Sequence, residues 1–133
     1  MVELFKNIVI SARPIQWLKN LSLYAALVFT GYLFDFDKFL TVTYSVIVFS
    51  ILASSIYLLN DVVDASRDRL HPFKRLRPIA KDDLPIPVAL AVCATGVVVS
   101  LFLASYLSFF FFLICLTYFL LQVSYSLYLK NLA

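Results

Sequence analysis

A chain of 133 residues would ordinarily make one modest soluble domain. Composition excludes that: 62% of the residues are hydrophobic, 14% are charged, and mean hydropathy is +0.92. A soluble globule carries about a quarter charged residues, so this chain belongs in a bilayer. Two glycines and five prolines exclude fibrous and low-complexity chains, and 17% aromatics exclude a disordered one. The net charge is only +3, but it is unevenly placed: of eleven basic residues, Arg67, Arg69, Lys74, Arg75, Arg77 and Lys81 crowd one stretch. Lying between apolar spans, that stretch reads as a cytoplasmic, phosphate-binding loop rather than a nucleic-acid surface.

In chain order, Val2, Phe5, Ile8 and Val9 recur at helical spacing opposite Glu3, Lys6 and Asn7, which predicts a short interfacial helix ended or kinked by Pro14. No cleavable signal is expected, because Lys6 interrupts the apolar run. A membrane crossing needs ~20 largely apolar residues. Residues 39–60 supply one with no charge at all, and residues 17–36 supply another if Lys19 snorkels to the interface. From Leu84 to Leu129 there is no Asp, Glu, Lys, Arg or His. At ~1.5 Å per residue that run would be roughly 70 Å long, twice a membrane core, so it folds back near residues 104–108. The expectation is an all-α integral membrane domain over 1–133, with four spans at about 17–36, 39–60, 84–104 and 107–129 and a loop at 60–83. Cation bias then puts both termini on the cytoplasmic side of the inner membrane. Cys93 and Cys115, both within apolar runs, read as small core residues, not as a disulfide or metal site.

The chemistry concentrates in Asn60-Asp61-Val62-Val63-Asp64-Ala65-Ser66-Arg67-Asp68. If the second span's helix continues through it at ~100° per residue, Asn60, Asp61, Asp64 and Asp68 fall within about 100° of arc. Carboxylates on one face repel one another unless something positive lies between them. Such oxygen ligands suit Mg²⁺, which takes one or two carboxylates and completes its shell with water and phosphate oxygens. Lys74, Arg75 and Arg77 follow closely, as a site for a metal-bridged diphosphate requires. The plainer alternative is a solvated loop in which acids and bases neutralise each other.

Asn60 to Asp68 resembles the NDxxDxxxD signature of the UbiA superfamily of intramembrane prenyltransferases. His71-Pro72-Phe73-Lys74-Arg75-Leu76-Arg77-Pro78-Ile79-Ala80 is similar to the branch that transfers phosphoribosyl groups to decaprenyl phosphate. Arg13-Pro14-Ile15-Gln16-Trp17-Leu18-Lys19-Asn20 resembles that branch's RPxQWxKN start of the first helix, and Tyr125 to Lys130 its usual end of the fourth. The resemblance implies Mg²⁺-dependent transfer of 5-phosphoribosyl from phosphoribosyl pyrophosphate to a polyprenyl phosphate, with pyrophosphate leaving. It gives Asn60, Asp61, Asp64 and Asp68 to the metal, with the three aspartates catalytic. It gives Asn60, Arg13, Lys19, Lys74, Arg75 and Arg77 to substrate phosphates, and Lys130 to a phosphate contact or a topological anchor. The family has nine spans and a second acidic motif. This chain resembles only the N-terminal half, and Asp82-Asp83 lacks the motif's spacing. The expectation is a chain inactive alone, completed by a C-terminal half or by self-association.

Other readings stay open on the residues alone. One is prenyl transfer from a prenyl diphosphate to an aromatic or other small acceptor. Another is a four-span transporter or assembly subunit, although such a protein would place charges within its spans. A CDP-alcohol phosphotransferase needs glycines among its acids, and none lies between Asn60 and Asp83. His71 reads as a turn residue, and Phe109 to Phe112 as lipid- or helix-facing rings more than a prenyl channel.

Overall fold

The computed structural model describes residues 1–128, and all of their regular structure is helical. Helix α1 runs Val2–Ala12 and stops at Arg13, which adopts the left-handed conformation (φ 51°, ψ 58°) while its N–H donates to the carbonyl of Ile10 at 3.2 Å. A left-handed residue closing a helix, followed directly by proline, is a strong stop. Glycine usually fills that position, because a side chain there is strained. Here it is an arginine.

The predicted first span is where sequence and structure part. Residues 17–36 do not form one α-helix. Pro14–Tyr24 is an eleven-residue 3-10 helix, followed by the six-residue α2, Ala25–Thr30, and a turn at Gly31 (φ 75°). Runs of 3-10 helix beyond three or four residues are uncommon, and side-chain bonds to the next helix explain this one. Trp17 Nε1 donates to Ser54 Oγ at 2.8 Å, Asn20 Nδ2 donates to Ser50 Oγ at 2.9 Å, and the Tyr24 and Thr43 hydroxyls lie 2.7 Å apart. Residues 17 and 20 lie one above the other at three residues per turn and ~6 Å apart along the axis, which matches the ~6 Å rise between Ser50 and Ser54 on an α-helix.

Helix α3, Phe36–Asp68, is the spine of the molecule. Asp35 caps it, accepting from the Lys38 N–H at 3.1 Å. Its 33 residues rise ~50 Å, roughly 20 Å more than a hydrocarbon core, so its last turns leave the apolar layer still helical. Helix α4, Ile86–Leu107, packs on it most extensively. A Cβ at Gly96 would run into the Ser55 side chain, so a small residue sets this crossing. Tyr44 also donates to the carbonyl of Leu103 at 3.0 Å. Ser108 alone separates α4 from α5, Phe109–Leu127, and caps α5 through the Phe111 N–H at 3.0 Å. The predicted fold-back near 104–108 falls at this serine.

Among the described residues three helices, α3, α4 and α5, are therefore long and apolar enough to cross a membrane, making this a multi-pass membrane protein, where four spans were expected. Val48, Leu52, Ile56, Ala89, Cys93 and Cys115 form much of the core, and both cysteines are free thiols. Phe109 and Phe110 lie exposed on the outside, whereas Phe111 and Phe112 pack partly against the core.

Candidate functional site

Five chain ends meet at one end of the bundle: the end of α1, the start of the 3-10 helix, the last turns of α3, the loop before α4, and the end of α5. The loop is a tied strap. Pro78, Ile79, Ala80 and Leu84 are buried, and the carbonyl of Pro78 accepts from the N–H groups of Asp83 and Leu84 at 2.9 and 3.1 Å. Arg69 fastens it further, reaching Asp82 Oδ1 at 2.6 Å and the carbonyl of Ala80 at 3.2 Å. Asn7 of α1 donates to the carbonyl of Asp83 at 3.1 Å. His71 Nδ1 accepts from the N–H groups of Phe73 and Lys74 at 3.2 and 3.3 Å, the work of a turn residue.

The strap delivers Arg77 onto the acidic face of α3. Its Nη1 lies 2.6 Å from Asp68 Oδ2 and 3.2 Å from Asp61 Oδ1. Arg13 Nη2 bonds the same Oδ1 of Asp61, and its guanidinium lies over the Tyr57 ring, 5.1 Å from the centroid. Asp61 and Asp68 are each only 3% exposed. Carboxylates buried so deeply are tolerable only when paired, and two arginines pair them. The positive charge that the acidic face requires is thus built into the protein.

Next to this cluster lies a cavity of about 190 Å³. Asn60, Asp61 and Asp64 form its α3 wall, Arg13, Lys74 and Arg77 bring cations, and Tyr57, Tyr125 and Ser126 close it. Ser126 is 2% exposed, and its hydroxyl has no hydrogen-bond partner among the described residues. A buried, unpartnered hydroxyl on a cationic cavity is the arrangement a phosphate oxygen would complete. Asp68 acts on the cavity through Arg77 and does not line it. Lys19 and Arg75 are exposed and do not line it, and Lys130 lies outside the described residues.

Four residues at this end escape the sequence argument. Tyr57 has no place in it, and Tyr125 and Ser126 enter only within the stretch that resembles the end of the fourth helix. Ser54 accepts from Trp17 and donates to the carbonyl of Ala12 at 2.9 Å, fixing the chain just before Arg13.

No three carboxylates, histidines or cysteines among the described residues gather closely enough to cage a metal by themselves. The donor chemistry fits a cation held largely by phosphate. Asn60 and Asp64 line the cavity, and Mg²⁺ characteristically needs one or two protein carboxylates beside substrate oxygens.

Apolar helices with a buried, arginine-paired acidic cluster at one end define a membrane protein whose polar site sits at the mouth of its bundle. The chain belongs to the UbiA prenyltransferase family, whose family model matches residues 21–133. It is 36% identical over 98% of its length to the decaprenyl-phosphate phosphoribosyltransferase of Mycolicibacterium smegmatis, covering 42% of that protein. It is 37% identical over 98% of its length to the enzyme of the same name from Mycobacterium tuberculosis, covering 45% of it. With the Corynebacterium glutamicum enzyme of that name it shares 38% identity over 67% of its length, covering 27% of that protein. The chain thus spans less than half the length of these relatives.

Proposed function

We propose that the chain forms the diphosphate-binding half of a transferase that moves 5-phosphoribosyl from phosphoribosyl pyrophosphate to a polyprenyl phosphate such as decaprenyl phosphate. The observation that carries this reading is the cavity at the end of α3, where Arg13, Lys74 and Arg77 meet Asn60 and Asp64 beside the unpartnered Ser126 hydroxyl. Its cations suit a diphosphate, and relatives covering 98% of the chain carry the phosphoribosyltransferase name.

In this reading Lys74 and the guanidiniums of Arg13 and Arg77 bind the diphosphate of the donor and stabilise charge building on it as the anomeric C–O bond breaks. An oxygen of the acceptor phosphate forms the new bond to that carbon, and pyrophosphate leaves. Asp61 and Asp68 orient the arginines, while Asp64 and Asn60 face the donor. Mg²⁺, carried by the diphosphate and met by Asp64 and Asn60, would add charge neutralisation on the leaving group.

The 3-10 segment and α2 together rise roughly 31 Å at ~2.0 and ~1.5 Å per residue, close to a ~30 Å hydrocarbon core. We therefore take them as a fourth, composite crossing, with Lys19, about 10 Å along it, snorkelling to the polar edge. Four crossings and the cation-rich loop then place both termini in the cytoplasm and the site at the inner membrane's cytoplasmic face. One acidic and one basic cluster do not enclose a diphosphate, so further helices, from a C-terminal half or a second copy, complete the enzyme.

The test is an assay of the purified 133-residue chain with Mg²⁺, phosphoribosyl pyrophosphate and decaprenyl phosphate, alone and co-expressed with the C-terminal half of a relative. The expected result is donor binding by the chain alone and turnover only in the pair. Turnover by the pair with a prenyl diphosphate and an aromatic acceptor, and not with phosphoribosyl pyrophosphate, would overturn the donor assignment.

A further inference from the structure

A second cavity, of about 260 Å³, lies against the same arginines, under α1. It shares Arg13, Asp61 and Arg77 with the first cavity but none of Asn60, Asp64 or Lys74. In their place it has Ser11, Ile10, Phe73 and Leu76. Ser11 is 1% exposed, and its hydroxyl is the other buried side-chain oxygen without a partner among the described residues. Each guanidinium gives only one terminal nitrogen to the carboxylates, among the described residues. A guanidinium has five N–H donors, so donors remain for an oxyanion. Ile10, Phe73 and Leu76 are large, apolar and exposed, an unusual surface around a cationic pocket.

We propose that this second cavity binds a phosphate monoester carried on an apolar chain, with Arg13, Arg77 and the Ser11 hydroxyl holding the phosphate and Ile10, Phe73 and Leu76 receiving the start of the chain. The two cavities then put two phosphorylated ligands against one arginine pair, and Asp61 fixes that pair for both. The proposal leans on the reading above only in equating this ligand with the acceptor. The shared chemistry fits a polyprenyl phosphate or the headgroup of a phosphatidic acid, and the hydroxyl accounts for itself only when an acceptor or donor reaches it.

The experiment measures equilibrium binding of farnesyl phosphate, phosphatidic acid, inorganic phosphate, pyrophosphate and phosphoribosyl pyrophosphate to the 133-residue chain in phosphatidylcholine nanodiscs. It compares wild type, Ser11→Ala, Ser11→Thr, Leu76→Ser and Lys74→Ala. A lost hydrogen bond to a charged phosphate predicts that Ser11→Ala weakens farnesyl phosphate about tenfold, with pyrophosphate unchanged and Ser11→Thr near wild type. Leu76→Ser should weaken farnesyl phosphate but not inorganic phosphate, and Lys74→Ala should weaken pyrophosphate but not farnesyl phosphate. Because Ser11→Ala removes an unpartnered buried hydroxyl, the unliganded variant should melt no lower than wild type, which excludes misfolding as the cause. Phosphatidic acid binding with equal strength and equal Ser11 dependence would make the ligand a phospholipid headgroup within the same class. Farnesyl phosphate binding within twofold of wild type in Ser11→Ala, or competition between farnesyl phosphate and pyrophosphate for one site, would overturn the proposal. If phosphoribosyl pyrophosphate fails to bind while the Ser11 dependence holds, the donor assignment fails and this cavity stands.

Discussion

Arg77→Ala isolates the interaction on which the site is built. In the wild type the guanidinium spans Asp68 at 2.6 Å and Asp61 at 3.2 Å. After truncation Asp61 keeps Arg13, so the stranded charge is chiefly Asp68, whose side chain is 4% exposed. Removing one partner from a fully buried pair costs about 3–5 kcal/mol. The Arg77 side chain is 28% exposed, so water softens the loss, and about 2–3 kcal/mol is expected. Neutralising the stranded group should return part of it: Asp68→Asn added to Arg77→Ala should recover about 1–2 kcal/mol. Unfolding in lipid bicelles by added dodecyl sulfate measures both, because the chain has a single tryptophan, Trp17, whose Nε1 bond to Ser54 joins the 3-10 segment to α3. If Arg77→Ala shifts stability by less than about 0.5 kcal/mol, the range of an ordinary surface substitution, the carboxylates do not depend on Arg77. The same holds if Asp68→Asn restores nothing. Either result refutes the reasoning.

Arg13→Gly and Arg13→Ala both lose the guanidinium, but the left-handed backbone at φ 51° favours glycine. Arg13→Gly should therefore be more stable than Arg13→Ala by about 1 kcal/mol in the same unfolding assay, although both weaken pyrophosphate binding. Gly96→Val places a branched side chain against Ser55, and should destabilise by about 1–3 kcal/mol. Ser55→Ala should restore only part of that, because the Ser55 Cβ is itself within 3.3 Å of the new Cβ. Lys74→Ala, at an exposed position lining the first cavity, should weaken pyrophosphate binding measured by calorimetry with no change in unfolding.

Much of the fold was legible because the bilayer imposes one-dimensional rules. Charge-free runs of span length become helices, so α3 and α4 begin within three residues of their predicted starts, and Ser108 makes the fold-back. The 3-10 segment was not legible. Residues 14–24 have ordinary apolar spacing, and their conformation comes from bonds of Trp17, Asn20 and Tyr24 to a helix that local sequence does not specify. At the site, the angular arithmetic for Asn60, Asp61, Asp64 and Asp68 needs only a helix, and α3 supplies one through Asp68. What occupies that face was beyond it. Asp61 and Asp68 are paired by Arg13 and Arg77, 48 and 9 residues away in sequence. The sequence presents these arginines as cations for substrate or as part of a solvated, self-neutralising loop, not as buried partners of particular aspartates. The buried serines were invisible for a simpler reason: a hydroxyl without a partner is a property of packing, and Ser11 and Ser126 look like any other helix serine.

The central claim is that the end of α3 binds the diphosphate of phosphoribosyl pyrophosphate. The most direct measurement is calorimetric titration of the chain with phosphoribosyl pyrophosphate, with Mg²⁺ and with a chelator, for the wild type and Asp64→Ala. The account predicts saturable binding that weakens at least tenfold without Mg²⁺ and about as much in Asp64→Ala. Binding undiminished in Asp64→Ala, or no binding by the wild type at any Mg²⁺ concentration, would contradict it.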